Sequence, residues 1–427
     1  MSGPDRVEEL RALLSGEPSK AILADIGTST VTGVRAPGAP DLAKSVRSVG
    51  HPVLQTLTLS ATDCVEMGSD FARSGLVHRL PEVIDDSFLD PFGVEWLLVD
   101  GAFAPLKHPL GHADQWAVAR HPKPIWPDVI QLPDPLLPGQ PQPLVVADAP
   151  CPGLLETCFS LRGSWQFFSD LTENWRVANA LLDWSLETVV AGYEQLLATP
   201  QVRPDVVLFG DDYGHHGGMF LSEVDFRTFV RPRLQTLFSR IRQLTTAPVC
   251  FHSCGAIRSI LGDLGDLGVE LLNLEYDAKD MALLDVRKAL PASMILHGYT
   301  DMRALGSALQ DGDRRSVAVL TSELAQSMPA IAAPADSLNS TEELLTVART
   351  AAFIHALTET DIDQLRQIGP VSSVLDGAIK RAGQTAAPAL KASCPTVVTA
   401  GQSGKAMYRD RDPQSTDAYA GRIQQRR

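Results

Sequence analysis

The 427-residue sequence lacks any excess of positive charge, because 51 acidic side chains against 37 lysines and arginines give a formal net charge of -14. Without a basic stripe, a chain has nothing to neutralise phosphates, so the sequence argues against a nucleic-acid-binding protein. It also lacks an apolar run close to the roughly 20 residues that a membrane helix needs, so we expect no membrane insertion. The expected partner is a small molecule or another protein.

Cysteine is also scarce, with six residues at no regular spacing, which does not resemble a disulfide framework. The first residues, Met1–Asp5, contain no apolar signal segment. We therefore expect reduced thiols and a cytoplasmic location.

Short apolar strands alternate with helices from Leu144 to Leu357, after a first helix near residues 7–15 and a strand at 20–25. Apolar runs of this kind are typical of strands buried on both faces. They predict an α/β fold, a parallel (β/α)8 TIM barrel with N-terminal helices, rather than a sandwich. A doubly wound open sheet would give the same alternation, but no G-x-G-x-x-G follows an early strand.

The stretch from about 85 to 143 interrupts this alternation. An Asp100-Gly101 turn between apolar runs predicts a hairpin, and closely spaced prolines from 122 to 143 exclude a helix or a central strand. We predict an insertion of a hairpin and a Pro-rich segment, which is either a linker or a connection back to the barrel. The predicted barrel spans 1–357, and 358–427 is predicted to form a C-terminal helix and a mobile tail.

The residues His252 and Cys254 lie at the end of a predicted strand that stops at Gly255. Side chains alternate along a strand, so this imidazole and this thiol point the same way and form half of a zinc site. The alternative is a buried histidine and a small apolar cysteine, both of which are common in strands.

A second strand end carries two carboxylates, a tyrosine and two histidines between glycines, at positions 210–218. Such a cluster is costly to bury unless it is used or paired, so it supplies the predicted catalytic residues. These are Asp211, Asp212, Tyr213 and His215. The alternative is a polar loop in which one aspartate caps a helix.

At a third strand end, Asn273 and Glu275 share a face and could reach a metal or a polar group of a substrate. We predict Asn273, Glu275 and His297 as substrate-binding residues. Zinc needs three or four ligands, so His252 and Cys254 require a third, for which we predict Glu275. The spacing alone does not separate it from the other candidates, which are Asp336, Asp211, Cys151 and His297.

Taken together, the motifs resemble the uroporphyrinogen decarboxylase-like superfamily, and within it the zinc- and corrinoid-linked methyltransferases more than the decarboxylases. The matching pieces span about residues 1–357. In chain order they are F-G-V-E-W at 92–96, W-P-D at 126–128, L-R-G at 161–163, G-D-D-Y-G at 210–214, F-R at 226–227 with R-P at 231–232, H-S-C-G at 252–255 and L-L-N at 271–273. The G-D-D-x-G and H-S-C-G pieces at this separation are the specific ones.

This resemblance implies a TIM barrel whose open end faces the methyl-bearing cobalamin of a separate corrinoid protein, with zinc on His252 and Cys254. An open zinc site holds an incoming thiol as its thiolate, although hydrolysis by zinc-bound water is a competing use. Asp211 and Asp212 would orient or protonate a small methyl donor or acceptor. The sequence has no D-x-H-x-x-G corrinoid signature, so the cobalamin would arrive on a partner.

Two departures from the family pattern leave alternatives open. The methyltransferases usually supply a third ligand, a cysteine, shortly before the last barrel helix, where this sequence has A-A-P-A-D-S at 332–337. The arginine-rich substrate loop of the decarboxylases has no counterpart around 20–35. The alternatives are a metal-independent decarboxylase or lyase, with Asp211 or Asp212 stabilising a cationic intermediate and His215 or His216 donating a proton, and a non-catalytic binding barrel.

Overall fold

A computed structural model of the chain describes residues 6–17, 20–27, 48–49, 61–78, 84, 86–99, 102–128, 130–133, 142–291, 293–298, 301–334, 338, 340–370 and 375–382. Its strands are β1 Ser48–Val49, β2 Phe71–His78, β3 Ser87–Leu89, β4 Glu95–Val99, β5 Ala102–Lys107, β6 Ile130–Gln131, β7 Leu144–Ala147, β8 Val206–Gly210, β9 Gly214–His215, β10 Gly218–Met219, β11 Val249–Ser253, β12 Leu271–Leu274, β13 Ile295–His297 and β14 Ala330–Ile331. Its helices are α1 Arg6–Ser15, α2 Ala61–Glu66, α3 Gln115–Arg120, α4 Leu154–Arg162, α5 Ser164–Glu173, α6 Trp175–Leu197, α7 Glu223–Asp225, α8 Arg231–Leu244, α9 Leu261–Asp266, α10 Leu283–Ala289, α11 Met302–Asp311, α12 Arg314–Gln326, α13 Thr341–His355 and α14 Glu359–Ile368.

Seven parallel strands form one curled sheet in the order β2, β7, β8, β11, β12, β13, β14. Residues 23–25 close this sheet into a ring. The amide of Asp25 donates to the carbonyl of Ala332 at 2.7 Å beyond β14, and the amide of Asp70 donates to the carbonyl of Ala24 at 2.7 Å before β2. The predicted TIM barrel is confirmed, with residues 23–25 as its eighth strand.

The inside of the ring is apolar at one end and polar at the other. A buried cluster joins Phe71, Val206, Cys250, Leu271 and Ile295 from different strands with Leu10 and Leu13 of α1. Helix α1 therefore closes the amino-terminal end of the barrel with its apolar face. Because alternate residues of a strand share a face, the interior side chains two positions further along each strand point to the open end.

Asp70 fastens the place where the ring closes. Its carboxylate accepts from the amide of Ala24 at 2.8 Å, contacts His355 Nε2 at 2.9 Å and pairs with Arg6. Burial alone would raise the pKa of Asp70, but His355, Arg6 and the Ala24 amide outweigh it and hold that pKa below the usual 3.8. A carboxylate whose pKa is lower in the folded than in the unfolded protein stabilises the fold while it is ionised. This stabilisation is lost as the pH falls below about 4 and the carboxylate takes up a proton.

We therefore expect Asp70→Asn to reduce the free energy of unfolding more at pH 6 than at pH 3. Urea unfolding of both proteins at the two pH values measures this. A difference between wild type and variant that stays constant across the range would show that the Asp70 carboxylate is not stabilised in the folded state.

The predicted insertion forms a three-stranded antiparallel sheet of β3, β4 and β5, in which Val99 lies opposite Ala102 as the hairpin motif requires. Arg162 fastens this region to the barrel. Its guanidinium donates to the carbonyls of Leu110 at 2.6 Å and Ala113 at 2.9 Å and forms a buried ion pair with Asp170 at 2.7 Å. The L-R-G motif therefore has a structural role.

Residues 154–197 form three consecutive helices, α4, α5 and α6, with two breaks between them. The break at Gly163 has a physical cause, since its φ of +84° is a conformation that favours glycine. The second break, at Asn174, leaves the helical conformation with φ -141° and ψ 48°.

Helices α11 and α13 pack closely because Gly306 lacks a side chain. A Cβ at this position would lie 2.3 Å from the carbonyl oxygen of Thr346. Although alanine favours a helix by about 1 kcal/mol over glycine, we expect Gly306→Ala to lower the free energy of unfolding by about 1–3 kcal/mol. The matched control is Gly262→Ala in α9, where no atom lies within 4 Å of the added Cβ. Equal thermal stability of the two variants would contradict this packing.

Among the described residues, no helix combines the length and apolar character that crossing a membrane requires. Helix α14 and a helical stretch at 375–382 follow α13. The predicted mobile tail lies outside the described residues.

Candidate metal and active site

Strand register brings the predicted site residues into one layer of the barrel. Gly210 pairs with His252, His252 with Asn273, and Asn273 with His297 across β8, β11, β12 and β13. Each of these residues follows an interior apolar residue by two positions, so each faces the inside of the ring at its carboxyl end. Catalytic groups of TIM barrels lie at this end.

Asp212, His252 and Cys254 bring three potential metal ligands together, with their ligand atoms within 4.8 Å of one another. His252 Nε2 lies 3.4 Å from Cys254 Sγ and 3.7 Å from Asp212 Oδ1. The same Asp212 oxygen accepts the backbone amide of Cys254 at 2.7 Å, which fixes the carboxylate beside the thiol. This cluster, called the Asp-His-Cys triad below, joins one end of β11 to the loop after β8.

The geometry of the triad fits a zinc ion. Ligands about 2.0–2.3 Å from a tetrahedral metal are separated from each other by about 3.3–3.7 Å, and the His252 distances fall in or near that range. The imidazole of His252 is only 5% exposed, whereas the Asp212 side chain is 29% exposed. The triad is thus anchored in the protein on one side and accessible on the other, as a catalytic zinc site with an open position requires.

Asn273 and His297, predicted to bind substrate, are both buried beneath the triad. Asn273 Oδ1 lies 2.6 Å from His252 Nδ1, and Asn273 Nδ2 lies 2.8 Å from His297 Nδ1. The structure therefore places both residues in a layer of hydrogen bonds that ends at His252 of the triad.

Asp211 and Tyr213, two of the predicted catalytic residues, point away from the triad. The Asp211 carboxylate accepts the backbone amides of Leu155 at 2.9 Å and Glu156 at 3.1 Å at the start of α4. Burial raises the pKa of Asp211 to about 7, and these amide bonds act in the opposite direction. Tyr213 is buried and stacks on Phe251, with ring centroids 5.8 Å apart. The Asp211 contacts correspond to the alternative of a helix-capping aspartate, and the catalytic roles of Asp211 and Tyr213 stay predictions.

His215 and Glu275 also lie apart from the triad. His215 is exposed on the β9–β10 hairpin, where its Nδ1 accepts the amide of Gly217 at 3.1 Å. Glu275, the predicted third metal ligand, accepts the amide of Gly255 at 2.8 Å and belongs to a separate cluster with His216 and Asp277. Burial raises the pKa of Glu275, and Asp277 adds to this effect. Within the described residues, Asp212 rather than Glu275 groups with His252 and Cys254.

Of the two remaining candidates for the third ligand, only Cys151 lies in the described part of the chain. Burial raises the pKa of the Cys151 thiol well above its ordinary value, so this side chain is a poor thiolate donor. Asp336 lies outside the described residues.

Sequence reasoning assigned Asp212 a catalytic role and did not include it among the candidate metal ligands, where the structure now places it beside His252 and Cys254. It also missed Asp25 and Arg73, whose side chains are buried in the same polar layer. Asp25 and Arg73 each lie two positions after an interior apolar residue, Leu23 or Phe71. Because side chains alternate along a strand, this spacing could have placed both on the inner face. Their proximity to the site depends on strand order, which the sequence does not state.

Comparison with known proteins agrees with this architecture. Residues 159–357 match the model of the uroporphyrinogen decarboxylase (URO-D) family. Among solved structures, a methyltransferase from Methanosarcina mazei is similar, with a TM-score of 0.54 and 16% identity over 81% of this chain and 98% of that one. At that identity the likeness concerns the fold. A comparison with curated proteins found no match. The matched segment includes the G-D-D-x-G and H-S-C-G motifs, and this match confirms the resemblance drawn from the sequence.

Proposed function

We propose that this protein is a methyltransferase that moves a methyl group between a small molecule and a partner corrinoid protein, with zinc held by Asp212, His252 and Cys254. The observation that carries the proposal is the Asp-His-Cys triad at the open end of the barrel. The structurally similar protein from M. mazei is a methyltransferase, which supports the same reaction class.

The residues of the triad suit a Lewis-acid site. Asp212 and a Cys254 thiolate would each contribute one negative charge, and His252 would contribute a neutral nitrogen, so the set would balance the charge of a divalent ion. A zinc ion bound there would hold a substrate thiol as its thiolate at neutral pH. The exposed side of Asp212 leaves room for this substrate, while buried His252 is shielded from water.

In this proposal, Asp212 replaces the cysteine that is the usual third ligand in the family. Its carboxylate comes from the G-D-D-x-G motif rather than from the segment before the last barrel helix. A carboxylate ligand leaves the ion a stronger Lewis acid than a second thiolate would, because oxygen donates less charge to zinc than sulfur does. We therefore propose that the aspartate both completes the site and favours activation of a thiol.

Methyl transfer from methylcobalamin to a thiol tests the proposal. The new bond joins the methyl carbon to the thiolate sulfur, and the cobalt–carbon bond breaks with its electron pair left on cobalt as Co(I). We expect zinc-dependent appearance of the Co(I) spectrum with a small thiol, and its loss after chelation and its return with added zinc. Chelator-resistant loss of carbon dioxide from a carboxylated substrate, without transfer, would instead favour the decarboxylase alternative.

A further inference from the structure

The amide of Asn273 has only one possible orientation. Its Nδ2 lies 2.9 Å from the carbonyl oxygen of His297 and 3.2 Å from that of Pro334, and carbonyl oxygens can only accept. The amide nitrogen must therefore be on this side, and Oδ1 must face His252. Gly298 makes the arrangement possible, since a Cβ there would lie 2.2 Å from Asn273 Nδ2.

This orientation determines where His252 carries its hydrogen. Asn273 Oδ1 is an acceptor 2.6 Å from His252 Nδ1, so Nδ1 carries the hydrogen and donates it. In the neutral imidazole, Nε2 then has the lone pair. Nε2 is the atom that faces Cys254 and Asp212. The ring is thus held in the tautomer that a metal requires.

The hydrogen-bond partners of His297, on the far side of Asn273, also determine which of its ring nitrogens carries the hydrogen. Its Nδ1 lies 2.8 Å from the donor Asn273 Nδ2 and therefore bears a lone pair, while its Nε2 lies 3.0 Å from Asp25 Oδ2 and donates to it. Asp25 Oδ2 also accepts Arg73 Nη2 at 2.6 Å. Burial alone would raise the pKa of Asp25, but Arg73 and His297 outweigh it and keep that pKa well below its usual value.

We propose that Asp25, His297 and Asn273 are positioning residues that act on the metal site through His252. A buried chain of hydrogen bonds runs from the Arg73–Asp25 ion pair through His297 and Asn273 and holds His252 Nε2 toward the triad. This inference rests on the proposed function for the role of His252 as a ligand. Partners of metal-bound histidines outside the ligand set typically contribute 10- to 100-fold to metal affinity.

The first test needs no variant and no metal. In metal-free protein labelled with ¹⁵N-histidine, long-range ¹⁵N–¹H spectra report which nitrogen of each ring carries hydrogen. We expect His252 to be protonated at Nδ1 and His297 at Nε2, which are opposite tautomers. A His252 ring protonated mainly at Nε2 would overturn the inference, whatever the metal content.

The second test measures the dissociation constant of zinc by competition with a chromophoric chelator. We expect Asp25→Asn to weaken zinc binding about 10-fold and Asn273→Ala by a similar or larger factor, with the double variant no weaker than Asn273→Ala alone. The last result follows because the proposed chain of hydrogen bonds leads from Asp25 through His297 and Asn273 to His252.

Asp170→Asn is the matched control. Asp170 pairs with Arg162 at 2.7 Å in an equally buried setting, and in the described part of the chain it has no hydrogen bond to the triad. Both aspartate variants should lose thermal stability, but only Asp25→Asn should lose zinc affinity. Unchanged zinc affinity in Asp25→Asn would overturn the proposal. Failure of the wild-type protein to bind zinc would refute the proposed function, and the tautomer measurement would still decide whether the chain of hydrogen bonds exists.

Discussion

Replacing Cys254 with alanine is expected to weaken zinc binding by more than about 100-fold, a larger loss than that from a residue that only supports a ligand. Cys254 supplies the sulfur of the triad and is part-exposed directly after β11, so its removal deletes a candidate ligand outside the buried core. The zinc content of protein purified without chelator and the transfer of methyl from methylcobalamin should fall together. Thermal stability of the metal-free protein should change little.

The matched control for this variant is Cys250→Ala, four residues earlier on the same strand. Cys250 is buried in the apolar barrel interior, and burial raises the pKa of its thiol well above the ordinary value. We expect Cys250→Ala to cost about 1 kcal/mol of stability and to leave zinc content unchanged. If both cysteine variants retained one zinc per chain, the metal would be bound elsewhere.

The second large effect is expected from the adjacent carboxylates, which the structure assigns to different tasks. Asp212→Asn should weaken zinc binding by more than about 100-fold, because a neutral amide replaces a charged ligand. Its stability should be nearly unchanged, since the side chain is part-exposed and the remaining oxygen can still accept the Cys254 amide.

Asp211→Asn should show the opposite result. Its carboxylate oxygens each accept one backbone N–H at the start of α4. In asparagine an NH2 group replaces one of these oxygens, so one backbone N–H would lose its acceptor. We expect a loss of about 2 kcal/mol in the free energy of unfolding, with the dissociation constant of zinc within about two-fold of wild type. Denaturant unfolding of metal-free protein and zinc competition measure the two quantities. Loss of zinc in Asp211→Asn but not in Asp212→Asn would reverse the assignment.

The barrel could be predicted from the sequence because its evidence is local. Each buried strand is a short apolar run, each is followed by a helix, and the alternation His252-x-Cys254 by itself places both side chains on one face. The hairpin could also be predicted from local sequence, because a two-residue turn fixes the pairing of Val99 with Ala102.

The third member of the triad could not be predicted in this way. Whether Asp212 or Glu275 meets His252 depends on how β8 and β12 are aligned with β11, and on the course of the loops that follow them. The alternation pattern correctly placed Asn273 beside His252, but it could not show that Asp25 lies next to His297, 272 positions away in the chain. Asp211 was indistinguishable from Asp212 as a motif residue, and only the position of α4 separates their roles.

X-ray absorption at the zinc edge, on protein loaded with one equivalent of zinc, reports directly whether Asp212, His252 and Cys254 bind the ion. We expect one sulfur at about 2.3 Å and the remaining ligands, nitrogen or oxygen, at about 2.0–2.2 Å, with the sulfur lost in Cys254→Ala. Adding a thiol substrate should introduce a second sulfur. A zinc environment without sulfur, or with two sulfurs before any thiol is added, would contradict a site built from Asp212, His252 and Cys254.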